Sequence, residues 1–66
     1  MTAVENVLRY NSVKGPVKIQ IFTDAYSLNT SYRVFVDYEE KIRAITSMHL
    51  NPEKILESIT RIYPQK

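Results

Sequence analysis

Between residues 32 and 49 the chain alternates apolar and polar positions: Y-R-V-F-V-D-Y-E-E-K-I-R-A-I-T-S-M-H. Side chains alternate with period two along a strand, so this pattern predicts two antiparallel strands meeting at a Glu39-Glu40 turn. Tyr32, Val34, Val36 and Tyr38 then share one face, and Arg33, Phe35 and Asp37 the other. On the second arm Ile42, Ala44, Thr46 and Met48 lie opposite Lys41, Arg43, Ile45 and Ser47. Residues 17–22 alternate in the same way, with Val17, Ile19 and Ile21 inward and Lys18, Gln20 and Phe22 outward, and predict a third strand.

The period changes after Leu50. Asn51 is a favoured N-cap, Pro52 suits the first helical position, and Glu53 stands at the positive end of the helix dipole. Ile55, Leu56, Ile59, Ile62 and Tyr63 recur at helical spacing and form a stripe that must be buried. Glu57 and Arg61 make an i,i+4 pair, and Pro64 ends the helix.

The N-terminal residues admit two readings. Thr2-Ala3-Val4-Glu5 matches a capping box, and Val4, Val7 and Leu8 fall on one helical stripe, which favours a short helix over 2–10. The Val and Tyr content of residues 7–13 favours a strand. Lys14-Gly15-Pro16, with the only glycine, marks a turn, or the left-handed end of that first helix. Residues 23–31 read as a polar connection that tucks Tyr26 or Leu28 over the edge of the core.

These elements predict a single α+β domain over residues 1–66. It is a three-stranded antiparallel meander with a C-terminal helix packed on one face, and a short N-terminal helix or a fourth strand. The helix stripe would cover Val17, Ile19, Ile21, Val34, Val36, Ile42, Ala44 and Met48, with Val4, Val7 and Leu8 completing the same layer. No internal repeat, low-complexity tract or linker interrupts the chain.

Size and composition narrow the picture. A chain of 66 residues has a thin margin of stability. It has no cysteine and one histidine, so disulfides, thiolate metal sites and His-rich sites are excluded. Self-association is the remaining support, and a homodimer is expected on that ground. The first residues carry an acid where a signal peptide carries positive charge, and no apolar run approaches the roughly 18 residues of a membrane helix. A cytoplasmic location with no membrane partner is therefore expected.

Nine Lys and Arg against seven Asp and Glu leave a net charge of +2, so the placement of charge matters more than its sum. The uncovered sheet face would carry Lys18, Gln20, Phe22, Arg33, Phe35, Asp37, Lys41, Arg43, Ile45 and Ser47. Lys18, Arg33, Lys41 and Arg43 suit contact with phosphates, and Phe22 and Phe35 suit stacking with unpaired bases. The favoured expectation is a non-enzymatic module that binds single-stranded nucleic acid across this face. The alternative is a small protein-binding regulator or inhibitor using Phe22, Phe35 and Ile45 on that face as a protein interface.

Catalysis is disfavoured, and no cofactor or small-molecule substrate is expected. His49 stands beside the helix cap, no serine lies in an elbow motif, and Gly15 alone cannot cradle a phosphate. Asp37, Glu39 and Glu40 read as a solvated hairpin tip in preference to a hard-metal site.

Two resemblances bear on these expectations. The order helix, three strands, helix resembles that of double-stranded-RNA-binding domains. Their Gly-Pro-x-His loop and basic helix start are replaced here by Tyr26-Ser27-Leu28-Asn29 and Asn51-Pro52-Glu53-Lys54. Lys14-Gly15 before Val17-Ile19-Ile21, with Leu50-Asn51-Pro52-Glu53 at the helix start, is similar to the whirly-like transcriptional coactivators. That likeness implies binding of single strands.

Overall fold

A computed structural model describes residues 3–24, 26, 29–46 and 51–66 of the chain. Four strands, β1 (Ala3–Ser12), β2 (Gly15–Asp24), β3 (Thr30–Val36) and β4 (Glu39–Thr46), precede one helix, α1 (Pro52–Ile62). The strands pair with their sequence neighbours, all antiparallel, in one sheet of order β1-β2-β3-β4.

The N-terminal segment is the fourth strand, and the short helix over residues 2–10 does not form. β1 pairs with β2 along its whole length, from Ala3↔Asp24 to Ser12↔Gly15. This ladder provides partners for a run of backbone groups, whereas an isolated helix of this length is marginal in water. The helical stripe is divided accordingly. Leu8 packs against the core, while Val7 sits on the opposite face and is 39% exposed. With the first element a strand, the order also departs from that of double-stranded-RNA-binding domains.

Two tight turns lie at the same end of the sheet. Val13 and Lys14 link β1 to β2, where the Ser12 hydroxyl donates to the Gly15 carbonyl at 2.7 Å and accepts from the Lys14 N–H at 3.1 Å. Gly15 has φ +123°, a backbone setting that other residues rarely adopt. A Cβ there would lie 3.0 Å from Asp37 Cβ in the second turn, so the two turns pack without room for a side chain.

That second turn is Asp37-Tyr38, not Glu39-Glu40. Both residues have positive φ, 51° and 68°, as in the two-residue turns that match strand twist. Tyr38 is therefore 85% exposed at the hairpin tip, and Glu39 and Glu40 belong to β4. The Asp37 N–H donates to the Pro16 carbonyl at 2.9 Å and ties the turn to β2.

A turn at Asp37-Tyr38 pairs Val36 with Glu39 and Phe35 with Glu40. Continued without interruption, that register would set Lys41 against buried Val34. The ladder instead passes to Val34↔Ile42, leaving Lys41 as the extra residue of a β-bulge. The bulge restores the phase: Ile42 and Ala44 face the core, and Arg43 and Ile45 face away.

The core lies on one face of the sheet. Val17, Ile19, Ile21, Val34 and Val36 are buried there against Ile55 and Ile59 of the helix, with Leu8, Tyr10, Tyr32, Ile42, Leu56 and Tyr63 packed around them. Ile62, expected in the buried stripe, is 58% exposed. Asn51 caps α1 by accepting the Glu53 N–H on its side chain at 2.9 Å, and Arg61 reaches Glu57 at 3.4 Å on the exposed side. Met48 and His49 lie outside the described residues, as does Leu28 of the β2–β3 connection.

After the helix the chain returns to β1. Val13 N–H donates to Pro64 O at 3.1 Å, Lys66 N–H donates to Asn11 O at 2.9 Å, and Ser12 bridges Gln65. The Tyr10 hydroxyl donates to the Tyr63 carbonyl at 2.6 Å. The tail thus covers part of the free edge of β1. At the other edge, β4 carries Glu39, Glu40, Lys41 and Arg43 and the bulge, features that discourage edge-to-edge pairing.

Two consequences are testable. Deleting Lys41 makes the β3–β4 ladder regular while keeping Ile42 inward, so the variant should fold, within about 1 kcal/mol of the parent. Urea denaturation and Val34–Ile42 nuclear Overhauser contacts check this; a chain that no longer folds would show that the bulge does more than set phase. The second concerns Tyr10, whose hydroxyl is pushed above the 10.0 of a free tyrosine, first by burial and then by the Tyr63 phenol. Folding favours the protonated phenol, so this stabilisation is whole below pH 10.0 and fades as pH rises through the higher folded value. Tyr10→Phe should cost about 0.5–1.5 kcal/mol at neutral pH and flatten the alkaline loss of stability, as read from urea midpoints at neutral and alkaline pH. An equal alkaline loss in parent and variant would assign that loss to other groups.

Candidate nucleic-acid interface

The face opposite the helix is built from alternate residues of all four strands, and the register arranges them in rows. Toward the two tight turns, one pairing in from Asn11↔Pro16 on this face, Arg9, Lys18, Phe35 and Glu40 lie side by side across the sheet. The middle row is Val7, Gln20, Arg33 and Arg43. The far row is Glu5, Phe22, Ser31 and Ile45. Six of the seven residues singled out from sequence, Lys18, Phe22, Arg33, Phe35, Arg43 and Ile45, thus share this face. The seventh, Lys41, occupies the bulge on the edge strand.

Sequence reasoning missed Arg9 and Val7, because a helical reading of residues 2–10 gave them no place on the sheet. The signal was present: Glu5, Val7, Arg9 and Asn11 alternate with Asn6, Leu8, Tyr10 and Ser12, and two residues separate Ser12 from Gly15. It also missed Tyr38, which was assigned inward. Asp37 was assigned to the open face but sits in the turn.

The cations are not equally available. Arg33 and Arg43 are cross-strand partners, a placement in which like charges repel. Glu40 resolves it: its carboxylate lies 3.7 Å from Arg33 Nε and 3.2 Å from Arg43 Nη2, and accepts further hydrogen bonds from Arg43. Glu40 and Arg43 share a face although three positions apart, because the bulge lies between them. Lys41 pairs with Glu39 at 3.5 Å. These pairs are largely solvent-exposed, so each contributes little to stability.

Arg9 and Lys18 are the second pair of like charges facing each other across strands. No carboxylate among the described residues lies within 4.0 Å of either. The Lys18 ammonium instead rests over the Phe35 ring, 4.9 Å from its centroid. One face of the ring proposed for stacking is thus occupied by a cation. Beside it opens a recess of about 650 Å³, lined among others by Arg9, Asn11, Pro16, Lys18, Phe35 and Tyr38.

The far row is more apolar. Ile45 is 73% exposed, and Phe22 is half-buried next to it across Ser31. Among the described residues no group of three His, Cys, Asp or Glu is placed to hold a metal ion, and no helix is long and apolar enough to cross a membrane.

No protein family matches this chain, and no curated protein or solved structure matches it.

The two cation pairs predict opposite responses to substitution. Arg9→Glu places an opposite charge against Lys18 and should raise stability by about 0.3–1 kcal/mol at low salt. Glu40→Gln leaves Arg33 and Arg43 unbridged and should lower it by a similar amount, roughly 0.3–1 kcal/mol. Urea midpoints at low and high salt read both; changes of the same sign would remove cross-strand charge from the account.

Proposed function

We propose that this protein is a non-enzymatic binding module that takes single-stranded nucleic acid across the open face of its sheet. The observation that carries this reading is the composition of the face as the register assembles it. Arg9, Lys18, Arg33 and Arg43 stand against three carboxylates, Glu5, Glu40 and, at the far end of β2, Asp24, with Phe22 and Phe35 set among them. Unpaired bases stack on exposed rings whatever their identity, while cations meet the phosphates between them. An open sheet face has room for a splayed strand, and α1 packs on the opposite side.

The contributions rank by availability. Arg9 and Lys18 meet phosphate without losing a carboxylate partner. Arg33 and Arg43 meet it only in competition with Glu40, and Lys41 lies at the margin. Phe22 and Phe35 supply the stacking, worth about 1–3 kcal/mol per base.

A second reading rests on the exposure of Ile45 beside Phe22, an apolar strip of the kind that forms protein contacts. In that reading the protein is a small regulator or a homodimer joined through the far row. Ile45→Lys would then shift the sedimentation profile from dimer to monomer, whereas a monomer at all concentrations removes the homodimer.

Titration of labelled oligothymidylate against salt tests the first reading. Neutralising three or four phosphates gives a slope of log K against log salt of about −2 to −3. Phe35→Ala should weaken binding by roughly 5- to 150-fold, and Glu40→Gln should tighten it by freeing both arginines. Absence of binding at low salt would reject the reading.

A further inference from the structure

We propose that the recess beside the two tight turns is a subsite for a terminal phosphate and the base next to it. Arg9 and Lys18 would hold the phosphate, and Phe35 and Tyr38 would flank the base. This rests on the strand-binding reading of the open face and adds where a strand ends on it.

Two like-charged pairs face each other across neighbouring strands of one sheet. Glu40 bridges Arg33 and Arg43 from within the chain, whereas among the described residues Arg9 and Lys18 have no carboxylate within 4.0 Å. Of the acids at this end of the sheet, Glu40 is held by Arg33 and Arg43 and Glu39 faces Lys41 at 3.5 Å, while Asp37 sits in the turn against Gly15, beyond 4.0 Å of either cation. An anion from solution therefore completes the Arg9–Lys18 pair as Glu40 completes the other.

Charge selects the kind of anion. A phosphodiester inside a strand carries one negative charge, whereas a terminal phosphate carries between one and two near neutral pH. Two adjacent cations without a counter-charge match the terminal group better. Position agrees, since the recess lies toward the end of the sheet that carries the two tight turns, with Tyr38 of the second turn in its lining. Its volume of about 650 Å³ lies in the range of clefts that hold small ligands.

Binding exchanges one contact for two. The Lys18 ammonium leaves the Phe35 ring for the phosphate, and the uncovered ring accepts a base. An exposed cation–π contact is weaker than base stacking together with a charge-assisted hydrogen bond, so the exchange runs toward the ligand. Tyr38, projecting from its turn at 85% exposure, can close over the other side of the base.

The test compares short oligothymidylates carrying a 5′ phosphate, a 3′ phosphate or neither, titrated at low salt, with thymidine monophosphate as a separate arm. A terminal phosphate at one end should tighten binding by about tenfold. That advantage should vanish in Arg9→Gln and Lys18→Gln and persist in Arg33→Gln, all being substitutions of surface cations with urea midpoints measured alongside. Amide shifts at Arg9, Lys18 and Tyr38 with thymidine monophosphate alone also support the subsite, even if oligonucleotides fail to bind and the strand reading falls. Oligonucleotides that bind equally with and without terminal phosphate overturn the subsite and leave the open-face reading intact. No response to any of these ligands overturns both.

Discussion

The burial of Ile55 and Ile59 against one face of the sheet determines the rest of this structure. A four-stranded sheet has two faces, and among the described residues one helix, α1, packs on one of them. The side chains of Val17, Ile19, Ile21, Val34 and Val36 are removed from water on the helix side. Apolar area removed from water, at roughly 25 cal/mol per Å², drives that choice and leaves the opposite face open. The tail beyond α1 then pairs with the end of β1, and the Tyr10 hydroxyl joins strand to helix end.

The bulge at Lys41 links the core to the charges on the other side. The Asp37-Tyr38 turn would bring Lys41 to the buried side of β4, and one extra residue avoids this. The same residue separates Glu40 from Arg43 so that both project from the open face, where Glu40 holds two arginines that would otherwise repel each other. Turn geometry, core phase and surface charge are therefore one coupled arrangement. Arg9 and Lys18 lie outside it, facing each other across β1 and β2, with no carboxylate among the described residues within 4.0 Å.

Much of this was legible in the residues themselves. Strict alternation through Val17, Ile19 and Ile21, and through Val34 and Val36, identified central strands with a single buried side. Asn51, Pro52 and the Ile55–Ile59 spacing identified the helix and its start. The errors share a physical cause: edge strands and turns are decided by partners distant in sequence. Val4, Val7 and Leu8 fit a helical stripe, but ten consecutive pairings with β2 outweigh three apolar residues at helical spacing. The Glu39-Glu40 pair looked like a polar tip, yet the turn sits at Asp37-Tyr38, where packing on Gly15 and the bond to Pro16 hold two positive φ angles.

By itself, then, the sequence determined the α+β class, the central strands, the capped helix and the grouping of Lys18, Phe22, Arg33, Phe35, Arg43 and Ile45 on one side. Those follow from local periodicity, which a strand or helix obeys wherever it is placed. Only the tertiary structure decided that Arg9 faces Lys18, that Glu40 neutralises Arg33 and Arg43, and that Phe35 and Tyr38 flank a recess. Each depends on register between strands, and register is set by turns, a bulge and a shared core that no single stretch of sequence contains.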